Sequence, residues 1–143
     1  MDGIRITTDL NGIDWAALRQ ALLDDFDNGR TVEEYEASAR GSFLNAYAFR
    51  GDEIVGNARA LSDGACNAYV VDVWTRSDLR RRGIARAMMK RLLAACEGQH
   101  VYLFTDDQEA FYLALGFEPQ PVGMSKVVGS WLRRPLDDPK RPA

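Results

Sequence analysis

Histidine is almost missing from this chain: His100 is the only one among 143 residues, and there are just two cysteines, Cys66 and Cys96. A zinc site draws several His or Cys ligands together at short spacing, and a Cys/His nucleophilic pair needs both members, so no metal and no thiol chemistry is expected. Cys96 falls on the apolar face of a predicted helix, as a small core hydrophobe does, while Cys66 lies near a turn. The start, Met1-Asp2-Gly3-Ile4, lacks a basic segment followed by an apolar run, so a reduced, cytoplasmic protein without a secretory leader is expected. No apolar run approaches the roughly eighteen residues that span a bilayer, so no membrane partner is expected. The sequence also lacks G-x-x-x-x-G-K-[ST], and lacks G-x-G-x-x-G with an acid about twenty residues on, which argues against nucleotide hydrolysis and dinucleotide redox chemistry. There is no internal repeat.

What is present suits one compact domain. With 143 residues, 46% of them hydrophobic, the chain can bury a substantial core; one domain over 1–134 is expected, with 135–143 a frayed, proline-rich tail. The formal net charge of −3 argues against nonspecific nucleic-acid binding through the whole surface. That charge is polarised. Arg76, Arg80, Arg81, Arg82, Arg86, Lys90 and Arg91 face a single acid, Asp78, whereas Asp24, Asp25, Asp27, Glu33, Glu34 and Glu36 face a single base, Arg30. The basic pole suits an anionic cofactor; the acidic pole suits a cationic substrate, or is simply a solvated helix face.

Periodicity supplies the elements. Ile4-Arg5-Ile6-Thr7 alternates as a short strand, and Trp15, Leu18, Leu22 and Phe26 mark one face of a helix. Thr31 with Glu34 three residues later is a capping box opening a second helix that carries Val32, Tyr35 and Ala39 inward. Runs 43–49 and 54–61, joined by Arg50-Gly51-Asp52-Glu53, read as a hairpin, and Ser62-Asp63-Gly64 turns into a central strand over 69–75. After an amphipathic helix bearing Ile84, Met88, Leu92 and Cys96 come a strand over 100–105 and a helix over 108–115 ended by Gly116. Segments 117–128 and 129–134 are expected to supply one or two closing strands.

The most informative stretch lies where the central strand passes through Arg80-Arg81-Arg82-Gly83-Ile84-Ala85 into the amphipathic helix. A helix start leaves backbone N–H groups unpartnered and carries the positive end of the macrodipole, so a loop wrapping it can hold a pyrophosphate with main chain alone. Gly83 permits close backbone approach or positive φ there. Arg80, Arg81, Arg82 and Arg86 add side-chain charge.

Those residues resemble the [Q/R]-x-x-G-x-[G/A] motif of the GNAT acyltransferase superfamily, and Phe111-Tyr112-Leu113-Ala114-Leu115-Gly116-Phe117 resembles the family's F-Y-x-x-L-G-F segment, in the family's order. The resemblance implies an α/β (α+β) GNAT fold: a central mixed, mostly antiparallel sheet of six or seven strands, about four helices and a splayed central strand pair. It implies acetyl-CoA as acyl donor, a small-molecule or peptide amine as acceptor, and leaves room for a homodimer. On that mapping Val73 and Thr75 give main-chain contacts to pantetheine beside Trp74. The diphosphate lies on the amides of residues 81–86, the segment that includes Arg81, Arg82, Gly83, Ile84, Ala85 and Arg86. The family's asparagine at the start of the last helix has no counterpart in Asp106-Asp107-Gln108-Glu109, where Gln108 either substitutes or makes no contact.

The resemblance also implies direct acyl transfer, with Tyr112 as general acid towards the departing thiolate and the Val73 N–H as oxyanion donor. Asp72 is the carboxylate available as general base, and bracing a loop or helix is an equally good reading of it; a water relay or an acid in 24–36 would also serve. Two competing functions remain: a non-catalytic acyl-CoA-binding regulatory module, and a small nucleic-acid-binding domain using the arginine cluster, which would bind with strong salt dependence.

Overall fold

A computed structural model of the chain describes residues 3–135; the tail expected over 135–143 lies, beyond Pro135, outside them. Five strands run in the order β1 (Ile4–Thr7), β2 (Leu44–Arg50), β3 (Glu53–Ser62), β4 (Asn67–Thr75) and β5 (His100–Tyr102). The first four pair antiparallel and β4 pairs β5 parallel, so the sheet is mixed and mostly antiparallel. Helices α1 (Trp15–Leu23) and α2 (Val32–Arg40) precede the β2–β3 hairpin, α3 (Ile84–Ala95) joins β4 to β5, and α4 (Glu109–Ala114) follows β5.

The sheet separates two apolar layers. On one side Ala46, Ala48, Ala58, Ala60, Ala68 and Val70 meet Ile84, Met88, Met89, Leu92 and Cys96 of α3. Small residues are required here because α3 lies close: a Cβ on Gly56 would come within 3.0 Å of both Ala48 Cβ and Met88 Cε. On the other side Leu18 and Leu22 of α1 and Tyr35 of α2 pack on Tyr47, Ile54 and Trp74. Alternation along β2 places Ala46 and Ala48 on one face and Tyr47 on the other, as strand geometry demands. The capping box forms as the sequence indicates, with the Thr31 hydroxyl accepting from Glu34 N–H and the Glu34 carboxylate accepting from Thr31 N–H.

Three expectations need correction. Phe26 lies beyond the end of α1 and is 51% exposed rather than continuing its buried face. The strand expected over 100–105 stops at Tyr102. No strand forms over 117–134 among the described residues; an irregular segment ends in a 3₁₀ turn, Trp131–Arg133, so five strands are present instead of six or seven. Within the segment expected to supply a closing strand, Val122, Met124, Val127 and Val128 remain exposed.

Two features set β4 apart. Its register with β3 steps from Arg59↔Val71 to Asn57↔Trp74, so β4 carries one residue more than its partner; Asp72 sits in this bulge at φ 57°. Its pairing with β5 covers only Asn67, Ala68 and Tyr69. From residue 70 to 75 the edge turned towards β5 has no ladder partner among the described residues, and the central pair splays as the resemblance implies.

Candidate active site

The open edge of β4 leads straight into a loop with bare amides. After the 3₁₀ turn Ser77–Leu79, whose Leu79 is buried as an anchor, the backbone turns left-handed at Arg81 (φ 64°) and again at Gly83 (φ 85°) before α3 begins at Ile84. Such alternation lets successive N–H groups face one concavity, as in anion-binding nests. Gly83 is the N-cap of α3 and supplies no side-chain acceptor, so the first-turn amides of Ile84, Ala85 and Arg86 have no capping side chain among the described residues. Arg81, Arg82 and Arg86 are exposed around this point, whereas Ile84 is buried and anchors the helix start.

Arg80 is partly engaged elsewhere. Its Nε donates to Thr75 O at 3.2 Å and its Nη2 lies 3.9 Å from Asp25 Oδ2. The buried Thr75 Oγ1 has no hydrogen-bond partner among the described residues. An open strand edge, an orphaned hydroxyl at its end and a bare helix start in sequence fit the amides, hydroxyls and diphosphate of a coenzyme A thioester.

Tyr112, on α4, is 9% exposed, its ring edge-on to Phe111 and Phe117 at centroid distances of 4.9 and 5.9 Å. Burial pushes its phenol above the usual tyrosine range, so it is a neutral proton donor at physiological pH. It belongs to the same apolar cluster against which Val73 packs, and it lines a cavity of about 600 Å3 with residues of β5 and the segment after α4. Gln108 is the N-cap of α4, is exposed, and makes no side-chain cap.

Asp72, the carboxylate offered as general base, has both oxygens occupied. Arg30 Nη1 and Nη2 donate to Oδ2 and Oδ1 at 2.7 and 3.1 Å, and Arg59 Nε donates to Oδ2 at 2.7 Å. Burial alone would raise its pKa, but the hydrogen bonds and charge of Arg30, and then Arg59, outweigh it and hold the carboxyl below its usual range. Asn57 Nδ2 donates to Asp72 O at 2.9 Å, fixing the bulge from β3.

The acidic pole is largely engaged within the fold. Asp25 Oδ2 accepts from Trp74 Nε1 at 2.7 Å and Ser77 N at 3.2 Å. Asp27 accepts from Gly29 N, Glu34 from Thr31 N and Arg134, and Glu36 from Arg40. Most carboxylates that the sequence offered to a cationic substrate are therefore holding the chain itself. Arg30, Arg59 and the particular role of Asp25 escape sequence reading, because nothing local shows that Arg30 meets Asp72 across 42 residues or that Asp25 meets Trp74 across 49.

Residues 13–117 match the model of the Acetyltransferase (GNAT) family. The chain belongs to the GNAT acetyltransferase family. Among curated relatives it is 31% identical over 120 residues to "Probable acetyltransferase TAP2" of Glycine max, covering 73% of this chain and 48% of that protein. It is 36% identical over 76 residues to "GCN5-related N-acetyltransferase 2, chloroplastic" of Arabidopsis thaliana, covering 50% of this chain and 30% of that protein. The chain thus spans less than half the length of either. Among solved structures, a GNAT-family protein of Xanthomonas campestris pv. campestris superposes with TM-score 0.78 at 26% identity, covering 90% of this chain and 95% of that one. This GNAT chain has no helix long and apolar enough to cross a membrane among its described residues. Nor do those residues group three or more His, Cys, Asp or Glu side chains as a metal site.

Proposed function

We propose that the protein is a cytoplasmic, acetyl-CoA-dependent N-acetyltransferase that moves acetyl directly to a primary amine of a small molecule or peptide. The observation that carries this reading is the continuity of the open edge of β4 over 70–75 with the glycine-capped start of α3. Val73 and Thr75 hold the pantetheine amides, with Trp74 between them, and the amides of residues 81–86 hold the diphosphate, helped by Arg80, Arg81, Arg82 and Arg86.

The amine nitrogen attacks the thioester carbonyl, forming the C–N bond; the carbonyl oxygen becomes an oxyanion that the Val73 N–H stabilises. Collapse breaks the C–S bond, and Tyr112 gives its proton to the departing thiolate. An unperturbed phenol, pKa about 10, is protonated where a thiol, about 8.5, begins to ionise, and burial only strengthens that condition. The proton lost by the amine passes to water, and water returns one to the Tyr112 phenolate, so the neutral phenol is restored for the next turnover. Asp72 braces the bulge in this reading and is not the base, because its lone pairs already face guanidinium groups. Gln108, exposed at the α4 cap, is assigned at most a rim contact with the coenzyme.

Turnover of acetyl-CoA against a panel of small-molecule and peptide amines, read as free thiol, tests the reading. Amine-dependent thiol release with an N-acetylated product is expected; tight acetyl-CoA binding without any amine-dependent release would make the protein a binding module.

A further inference from the structure

We propose that Asp25 and Arg30, in the connection between α1 and α2, are positioning residues that hold the Val73 peptide in place from both sides. The proposal rests on the assignment of the Val73 N–H as oxyanion donor.

The backbone at 72–73 falls outside the regular pairing of the sheet. On one edge the bulge removes it from regular register with β3; on the other, β5 has ended at Tyr102. Asp72 and Val73 have no register partner on either neighbouring strand, so side chains fix them: Asn57 Nδ2 and Arg59 Nε hold Asp72 from β3. The residues that flank Val73 are fixed from the same connection. Arg30 donates twice to Asp72, and Asp25 accepts the indole N–H of Trp74. Asp25 Oδ2 also accepts Ser77 N–H, so one carboxylate ties the end of β4 to the entrance of the diphosphate loop. Burial would raise the Asp25 pKa, but the bonds from Trp74 and Ser77 and the charge of Arg80 lower it, so it stays an acceptor.

The connection is stiff enough to serve as a bracket. Asp27 Oδ1 accepts Gly29 N at 2.7 Å, Asn28 Oδ1 accepts Arg30 N at 3.0 Å and Tyr35 OH at 3.2 Å, and Arg19 Nε donates to Arg30 O at 2.9 Å. Trp131 Nε1 adds a bond to Asn28 O at 3.0 Å. Displacing a transition-state donor by a fraction of an ångström lowers the chemical step far more than it lowers binding of the donor substrate, whose diphosphate is held elsewhere.

The experiment compares Asp25→Ala, Arg30→Gln and Arg30→Lys with the parent protein by steady-state kinetics and by hydrogen exchange of the 70–76 segment without ligand. Arg30→Gln, whose lost bonds do not reach the diphosphate loop, should lower kcat ~10-fold or more while KM for acetyl-CoA stays within about threefold, with partial recovery in Arg30→Lys; Asp25→Ala, which also releases Ser77, should lower kcat as far and raise that KM. Exchange over 70–76 should quicken about tenfold while α3 keeps its protection. Should Asp25→Ala fail to fold, Asp25→Leu, which is close in shape but has no acceptor, replaces it. Unchanged kcat in both variants, or unchanged exchange over 70–76, overturns the proposal. If the parent protein releases no thiol with any amine, the acetyltransferase reading fails, and the exchange comparison still decides whether the bracket holds this segment.

Discussion

Arg30 grips Asp72 through two parallel hydrogen bonds of 2.7 and 3.1 Å, and Arg59 adds a third of 2.7 Å to the same carboxylate. All three side chains are mostly covered, at 14%, 23% and 13% exposure for Arg30, Asp72 and Arg59. Removing the anion from such a triad strands two guanidinium groups, so Asp72→Asn should destabilise the fold by about 3 kcal/mol. Denaturant melts measure this. The shape of the kcat–pH profile should survive the substitution; loss of a titrating limb would restore Asp72 as the base.

Stability should follow pH through the same carboxylate. A carboxyl whose folded pKa lies below its unfolded value contributes fully above the unfolded value, about 3.9, and loses that contribution as pH falls through the folded value. Asp72 is shifted in this sense, its burial outweighed by Arg30 and Arg59. The gap in Tm between the parent and Asp72→Asn should therefore be constant from pH 7 to about 5, then shrink as the pH drops below about 4. Thermal melts from pH 7 to 2 check it; a gap that does not change across that range would show that the triad's charge is immaterial.

Gly83→Val probes the cradle. At φ 85° a branched residue is strained by roughly 1–2 kcal/mol, and relaxing that strain turns the backbone that orients the first-turn amides. Acetyl-CoA affinity should fall at least about tenfold, read by titration calorimetry, with only a modest loss of Tm.

Tyr112→Phe removes a hydroxyl and leaves the ring packing with Phe111 and Phe117. The turnover number should drop by about 10²-fold with acetyl-CoA affinity nearly unchanged, as expected for loss of a general acid. Wild-type kinetics at every pH would remove Tyr112 from the mechanism.

Local chemistry was legible in the sequence wherever it is written locally. The Thr31–Glu34 box, the hairpin around Gly51 and Asp52, the start of α3 behind Gly83 and the α4 ending at Gly116 each depend on residues within a turn or two of one another. The failures involve distance. The apolar residues at 122–128 pattern like a strand, but a strand needs a partner edge, and no pairing forms there among the described residues. The acidic segment 24–36 read as a charged pole because sequence cannot show that Asp25 ends on Trp74, or that Glu34 accepts from both its own cap and Arg134. Asp72 was legible as a carboxylate at the right place, but its two arginine partners come from a loop and a strand 42 and 13 residues away.

The main-chain cradle for a CoA diphosphate is tested most directly by calorimetric titration of the parent protein with acetyl-CoA. The account predicts a single site per chain, displaced by free coenzyme A. Absence of any heat of binding, or binding that Gly83→Val leaves unaltered, would contradict it.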